Sequence, residues 1–102
     1  MSAVTYEVNL AVEAGVLEAY RAWLADHVAE IVALPGFTGA TTWDVVDPAP
    51  PSGVTHLCVQ YALVEAAALE AYLRDHAPRL RADGIARFGD RVRATRRVLH
   101  AA

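Results

Sequence analysis

Hydrophobic and polar residues alternate over four short stretches, and this alternation predicts four β-strands. The first stretch covers residues 4–12, where every second residue from Val4 to Val12 is apolar or aromatic and those between are mostly polar. Such a period of two is typical of a strand with one buried face. The same reasoning, with β-branched and aromatic enrichment, predicts strands over 37–46, 54–63 and 91–99. The proline-rich stretch 47–53 is predicted to be a loop.

Two further stretches place apolar residues at helical spacing. The first runs from about residue 16 to 34 and ends at Pro35-Gly36, since proline cannot continue a helix and glycine suits its left-handed cap. The second covers 65–76, and Pro78 opens a continuation to 86. The resulting order β-α-β-β-α-β predicts one α+β domain over 1–102, a ferredoxin-like sandwich with an antiparallel sheet and both helices on one face.

The two helices contain a short internal repeat. Leu-Glu-Ala-Tyr occurs at 17–20 and 69–72, and a segment ending in Asp-His occurs at 24–27 and 73–76. On a helical wheel His27 and His76 both fall inside the apolar arc and are predicted to point inward. The strand and helix periods direct four tyrosines into the same interface: Tyr6, Tyr20, Tyr61 and Tyr72. Buried polar groups need partners, so either these rings bond one another or water or a ligand enters.

Composition narrows the class of protein. The 102 residues, 55% of them hydrophobic, suffice for one modest core. We expect no leader peptide and no membrane-spanning segment, because the first strand begins at once and no apolar run is long enough. The single cysteine, Cys58, excludes an intrachain disulfide and favours a reducing, cytoplasmic location.

Charge is distributed unevenly along the chain. Residues up to 73 include nine acids and one arginine, whereas those from 74 onward include eight arginines and three aspartates. Either the two sets of charges keep the surface of one small domain hydrated, or they promote self-association or bind an anionic ligand. The sheet face away from the helices is predicted to be polar and to form a homodimer. Arg79, Arg81 and Arg87 are predicted to lie at the mouth of a helix–sheet cleft.

Several motifs, taken in order and spacing, resemble a family of roughly hundred-residue bacterial proteins classed as a domain of unknown function. The resemblance covers nearly the whole chain and implies no established activity. Asp26 and Ala29 depart from it, because members often carry glutamate and proline there. The motifs are Tyr6-x-Val8, Trp23-x-x-x-His27-x-x-Glu30, Gly36-Phe37, Val59-Gln60-Tyr61, Tyr72-x-x-x-His76-Ala77-Pro78-x-Leu80, Phe88-Gly89 and Arg96.

More distantly, the layout is similar to the dimeric α+β barrel proteins, which include cofactor-independent antibiotic-biosynthesis monooxygenases. That resemblance implies a dimer and a reactive cleft between helices and sheet. Our first hypothesis is therefore a small-molecule enzyme or binder for an anionic or carbonyl-bearing ligand. His27 and His76 are its candidate bases and Tyr61 orients them. Its candidate ligand-binding residues are Trp23, Tyr20, Tyr72 and Arg79. The alternative is a non-catalytic homodimeric interaction or regulatory module.

Other classes of function fit the residues less well. RNA-recognition motifs share this element order, but the exposed sheet face presents His56, Cys58 and Gln60 instead of stacking aromatics, and the net charge is acidic. No nucleic acid partner is therefore expected. We expect no metal, because each helix carries one inward histidine without an inward carboxylate four residues away. No cofactor is predicted, although haem on a helical histidine stays open.

Overall fold

The fold is a four-stranded antiparallel sheet with all helices on one face. The computed structural model describes residues 2–102, and its elements are β1 (Val4–Glu13), α1 (Leu17–Val32), β2 (Phe37–Asp44), β3 (Val54–Leu63), α2 (Ala66–Asp75), α3 (Ala77–Phe88) and β4 (Val92–His100). Short 3-10 turns at Ala14–Val16 and Gly89–Arg91 lead into α1 and β4. The predicted ferredoxin-like α+β class is confirmed. The strands also follow one another along the sequence in the predicted order. No helix within 2–102 combines the length and apolarity needed to cross a membrane.

The register of the sheet decides which side chains share a face. The strands lie in the order β2-β3-β1-β4, and Tyr6 stands opposite Tyr61 on β3 and Val98 on β4. Directly opposed residues point to the same side of a sheet, so β1 and β3 direct their alternate apolar residues toward the helices. The core lies in this layer, where Val12, Leu57, Val59 and Leu63 are almost completely buried.

The connection from α1 to β2 depends on one glycine. Gly36 has a φ of +87°, and a Cβ there would lie 2.4 Å from the Cβ of Ala68. Its carbonyl accepts a hydrogen bond from the Val64 amide at 3.0 Å. Glycine is therefore required both by the backbone conformation and by the close approach to α2.

The second predicted helix is two helices joined at His76. This residue has φ −127° and ψ −37°, which interrupts the helical path, and Pro78 occupies the first turn of α3. Proline is tolerated there because the first-turn amides have no partner within the helix. The continuation predicted to end at 86 extends to Phe88, so α3 is a full element that packs against α1 and the sheet.

The sheet face away from the helices contains a buried carboxylate. Glu7 is only 3% exposed, because neighbouring strands surround it with donors. Its Oε1 accepts from Gln60 Nε2 at 3.0 Å, and its Oε2 accepts from Asn9 Nδ2 at 2.9 Å and Arg97 Nε at 2.6 Å. Donors from β1, β3 and β4 therefore surround this carboxylate. The hydrogen bonds from Asn9 and Gln60, more than the ion pair, lower the pKa of Glu7 to about 2 against the opposing effect of burial.

The register also assigns the arginines of β4, which the sequence alone left open. Arg93 and Arg97 stand opposite Ala11 and Glu7 and therefore lie on the open face. Arg96 stands opposite Val8, so it lies on the helix face. This places one guanidinium on the side of the sheet that otherwise carries the core.

Replacing Glu7 by Gln is expected to lower the free energy of unfolding at pH 7 by about 3 kcal/mol, because the variant loses the charge that its donors stabilise. The folded-state pKa lies below the ordinary value of 4.5, so this stabilisation is present above that pH. It is lost as the pH falls through 4.5 toward 2. Urea unfolding of both proteins from pH 7 to 2 measures the converging difference.

The exposed Glu70 on α2 provides the control. Glu70→Gln should differ from the wild type by less than about 0.5 kcal/mol across the same range. A Glu7→Gln deficit that stays constant down to pH 2 would contradict the assigned network.

Candidate functional site

An open cleft lies between the sheet and helices α1 and α3. Its cavity volume is about 100 Å³, which is smaller than the roughly 300 to 1,000 Å³ of sites for drug-sized ligands, so a ligand ring would lie partly in the open mouth. Apolar side chains form much of its wall, among them Leu24, Ile31, Val59 and Leu80. Its polar lining consists of Tyr6, Tyr20, Tyr61, Tyr72, His27, Arg81 and Arg96, with the indole of Trp23 beside them.

The rings of the four tyrosines are buried, but only some of their hydroxyls are hydrogen-bonded to the described residues. Each is at most 5% exposed, as the sequence predicted. Tyr6 accepts a hydrogen bond from Arg81 Nη2 at 2.8 Å. Within residues 2–102, the hydroxyls of the other three have no hydrogen-bond partner, yet no unpaired side-chain polar atom is fully sealed. The hydroxyls of Tyr20, Tyr61 and Tyr72 therefore reach the open space of the cleft.

Burial keeps these hydroxyls protonated. Desolvation is the main cause of the raised tyrosine pKa values, which reach about 12 for Tyr20 and Tyr72. The pKa of Tyr61 is also raised, first by desolvation and then by the neighbouring tyrosines. The guanidinium of Arg96 opposes the rise at all three rings. At neutral pH the cleft consequently offers three hydrogen-bond donors and no phenolate.

Two phenylalanines fix the tyrosine rings. The Phe37 ring meets Tyr61 and Tyr72 edge-on at centroid distances of 5.8 and 5.2 Å. The Phe88 ring meets Tyr20 edge-on at 5.0 Å. The motifs Gly36-Phe37, after α1, and Phe88-Gly89, at the end of α3, therefore have matching roles, since each brings a phenylalanine against the tyrosine rings. Edge-to-face contacts hold such rings in one orientation.

Trp23 and His27 form the side of the cleft nearest its mouth. They lie one helical turn apart on α1, and their rings stack at 4.3 Å with an interplanar angle of 22°. The indole Nε1 donates to Asp83 Oδ2 at 3.0 Å, which ties α1 to α3. A Cβ on Gly84 would lie 3.0 Å from Trp23 Cη2, so this glycine gives the indole its space. Asp83 is in turn bonded by Arg87 at 3.2 Å.

His27 is half-buried and its pKa is lowered. Desolvation is the main cause; Arg96 adds to it, while the carboxylates of Glu30 and Asp83 oppose it. These charges come from α1, α3 and β4, the elements that surround the ring. The imidazole is therefore neutral at pH 7, which is the form that can accept a proton.

The structure brings five of the seven predicted site residues to the cleft: Tyr20, Trp23, His27, Tyr61 and Tyr72. His76 and Arg79 do not line it. His76 lies at the junction of α2 and α3, with its Nδ1 3.2 Å from Arg79 Nη2, and Arg79 donates to Glu30 at 3.3 Å. The repeat misleads here, because His27 follows its tyrosine by seven residues and His76 follows its tyrosine by four, at the point where α2 ends.

Two arginines line the cleft: Arg81, which was predicted at its mouth together with Arg79 and Arg87, and Arg96, for which no site role was predicted. Arg81 shares the apolar face of α3 with Ala77, Leu80 and Gly84, and Arg96 interrupts the apolar alternation of β4. Both signals are present in the sequence as single charges at apolar positions. No three His, Cys, Asp or Glu side chains within 2–102 lie close enough together to hold a metal ion.

A ferredoxin-like α+β fold with an aromatic helix–sheet cleft defines the structural class of this protein. The chain belongs to the family described as Domain of unknown function (DUF4286), whose model matches residues 3–102. The resemblance drawn from the motifs is thereby confirmed. No curated protein matches the sequence.

Solved structures of low sequence identity share the fold. SnoaB, a cofactor-independent oxygenase from Streptomyces nogalater, is 14% identical with a TM-score of 0.65, covering 100% of this chain and 95% of its own. Rv0793 from Mycobacterium tuberculosis is 18% identical with a TM-score of 0.72, covering 99% and 96%. The de novo designed protein Foldit4 is 9% identical with a TM-score of 0.64, covering 98% and 99%. Because a designed chain is among them, the fold by itself specifies no activity.

The histidine titration provides a direct test of the site. In NMR spectra recorded from pH 8 to 4, the His27 ring should titrate below the ordinary pKa of 6.5. A folded pKa below the unfolded one means that protonation opposes folding, so the wild type should lose stability relative to His27→Gln as the pH falls below about 6.5. The missing resonance in His27→Gln assigns the ring. A His27 pKa at or above 6.5 would contradict the described environment.

Proposed function

We propose that the cleft binds a small planar compound bearing a hydroxyl or carbonyl group and that His27 takes a proton from it. The observation that carries this proposal is a neutral, half-buried imidazole that shares one open cavity with three unpaired tyrosine hydroxyls. The candidate function of His76 and Arg79 is not retained, because neither lines the cavity.

The lining determines the kind of ligand that fits. Aliphatic side chains and ring faces favour a flat, largely apolar molecule, because their burial is the main source of binding energy. The Trp23 indole, stacked on His27 and tied to Asp83, offers a fixed aromatic surface. Hydroxyls of Tyr20, Tyr61 and Tyr72 can donate to a ligand oxygen without breaking any bond they make to the described residues. The ligand therefore meets donors whose buried rings already hold them in one orientation.

The proton transfer follows from these positions. The O–H bond of a phenol, or the acidic C–H bond beside a carbonyl, breaks; its proton moves to a ring nitrogen of His27, and the electron pair stays on the ligand. Carboxylates of Glu30 and Asp83 stabilise the imidazolium that forms, since both already raise the pKa of this ring. Tyrosine hydroxyls stabilise the negative oxygen. SnoaB, a cofactor-independent oxygenase, has a similar fold, which is compatible with a cleft in which the chain's own side chains move the proton.

Binding of 4-nitrophenol tests this function, because its absorbance reports its ionisation directly. We expect the protein to lower the apparent pKa of the bound phenol, since His27 accepts its proton and the tyrosines donate to its oxygen. Replacing His27 by Gln should remove at least half of that pKa shift. The exposed His100, which does not line the cleft, provides the control variant His100→Gln, in which the full shift should persist.

The expected effect of His27→Gln on stability is small at pH 7, where the wild-type imidazole is neutral. Thermal unfolding checks this separately from binding. Loss of the spectroscopic shift in a variant that melts close to the wild type supports the proposal. Ionisation of the bound phenol that is identical in wild type and His27→Gln would refute the role of His27, and absence of binding would refute the cleft.

We also propose that the open sheet face associates with a second copy of the chain. Trp43 lies on this face and is 54% exposed, and Glu13 on β1 and Arg93 on β4 are exposed charges of opposite sign elsewhere on the same face. Glu7 already has all its donors, so it can be covered without a further partner. A four-stranded sheet with helices on one side leaves this face for solvent or another sheet.

Sedimentation at micromolar concentration should accordingly show a dimer whose dissociation constant rises with salt, because charges pair across the face. Trp43→Lys should weaken the dimer at any salt concentration. Val46→Lys, at an exposed position in the loop after β2, should not. A monomer under these conditions excludes the dimer, and an affinity indifferent to salt excludes the charge pairing.

A further inference from the structure

We propose that Arg81 and Arg96 form an anion subsite inside the cleft and that the ligand is an aromatic carboxylate. This inference rests on the proposed binding role of the cleft and names the ligand class. It starts from two cations that share one cavity, one from α3 and one from β4.

Both guanidiniums are directed to the cleft by the secondary structure. Arg81 is half-buried on the apolar face of α3, and its Nη2 donates to the Tyr6 hydroxyl at 2.8 Å. Arg96 stands opposite Val8 in the register, on the helix face of the sheet. Tyr6 pairs with Val98, so Arg96 is its diagonal neighbour on β4, at about 7 to 8 Å between Cα atoms. Tyr6 is thus bonded to Arg81 and is a backbone neighbour of Arg96 on the same face of the sheet.

Neither of these arginines has a counter-ion within the described chain. The ion pairs formed among residues 2–102 use Arg21, Arg74, Arg79, Arg87 and Arg97. The contrast is clearest on α3, where the outward-facing Arg79 and Arg87 bind Glu30 and Asp83. The cleft-facing Arg81 binds only a neutral hydroxyl. Acidic side chains therefore neutralise the outer surface of α3 and leave its inner face positive.

An unpaired positive pair in an apolar cavity selects for a negative ligand group. A guanidinium has five donors in a planar fork that matches the two oxygens of a carboxylate, and Arg81 uses one of its donors on Tyr6. Arg81 is half-buried, so water screens its attraction for an anion less than it screens that of Arg96, which is exposed on the edge strand. An aromatic ring attached to that carboxylate would extend along the apolar wall toward Trp23 and His27. The ligand would then present its ring to the indole and its carboxylate to β4.

Occupation of this subsite should also affect His27. Arg96 contributes to the lowered pKa of that histidine, and a bound carboxylate would cancel this influence. A carboxylate ligand should therefore raise the pKa of His27, whereas a neutral ligand of the same shape should not. Binding of the carboxylate at the subsite would thus also make His27 a stronger base.

The test compares 1-naphthoate with 1-naphthamide, which share the ring and differ in charge. Isothermal titration of the full chain should give at least about tenfold tighter binding of the naphthoate. Arg96→Gln and Arg81→Gln should each reduce the ratio of the two affinities severalfold. Arg81→Lys should retain part of the ratio, because lysine keeps the positive charge but lacks the planar fork of donors. Arg74→Gln, at an exposed site on α2, should leave the ratio unchanged. NMR should show the His27 pKa rising with naphthoate alone.

The outcomes separate the subsite from the cleft. If naphthoate and naphthamide bind equally and Trp23→Ala weakens the binding of both, the anion subsite is refuted but the proposed binding role of the cleft is retained. Failure of both compounds to bind would refute both. Arg96 lies on an exposed edge strand, so Arg96→Gln remains folded even if Arg81→Gln does not. An unchanged preference in Arg96→Gln would exclude its half of the subsite.

Discussion

The structure depends on one constraint: four tyrosine rings must be buried between a single sheet and its helices. Their rings supply much of the apolar contact, but every hydroxyl that leaves water needs a partner, at a penalty of about 1 to 3 kcal/mol for each one left unpaired. Among residues 2–102, Tyr6 is the one that obtains a partner, through Arg81. The other hydroxyls reach open space, so α1 and α3 cannot close fully on the sheet. The cleft is the consequence of this polar requirement.

The two halves of the fold meet that requirement differently. Each half contributes one helical tyrosine that meets the phenylalanine of the other half, Tyr20 with Phe88 and Tyr72 with Phe37. The first half alone adds a histidine and a tryptophan, His27 and Trp23, to the described lining of the cavity. The second half ends α2 early and contributes a separate helix, α3, with Arg81 inside and paired arginines outside. The pseudo-repeat therefore builds a symmetric aromatic frame and an asymmetric polar site, with a base on one side and positive charge on the other.

The sequence predicts the frame well because burial and period are local signals. Alternation identified β1 and placed Tyr6 inward, and the helical wheel did the same for Tyr20 and His27. His76 lies outside the cleft lining for a local reason, since the wheel assumes a continuous helix and the chain leaves it at that residue. Arg96 could be placed only by the register with Val8, which depends on contacts between strands distant in sequence. Glu7 illustrates the same limit, because its donors come from three different strands.

The most direct test of this account is a crystal structure of the protein soaked with 4-nitrophenol. The account predicts density for the ring in the cleft between Trp23 and Val59, with its oxygen within hydrogen-bond distance of His27 or a tyrosine hydroxyl. Ordered water on those hydroxyls in the unsoaked crystal would agree with it. A cleft filled by its own side chains, with Tyr20, Tyr61 and Tyr72 bonded to protein groups and the phenol absent, would contradict it.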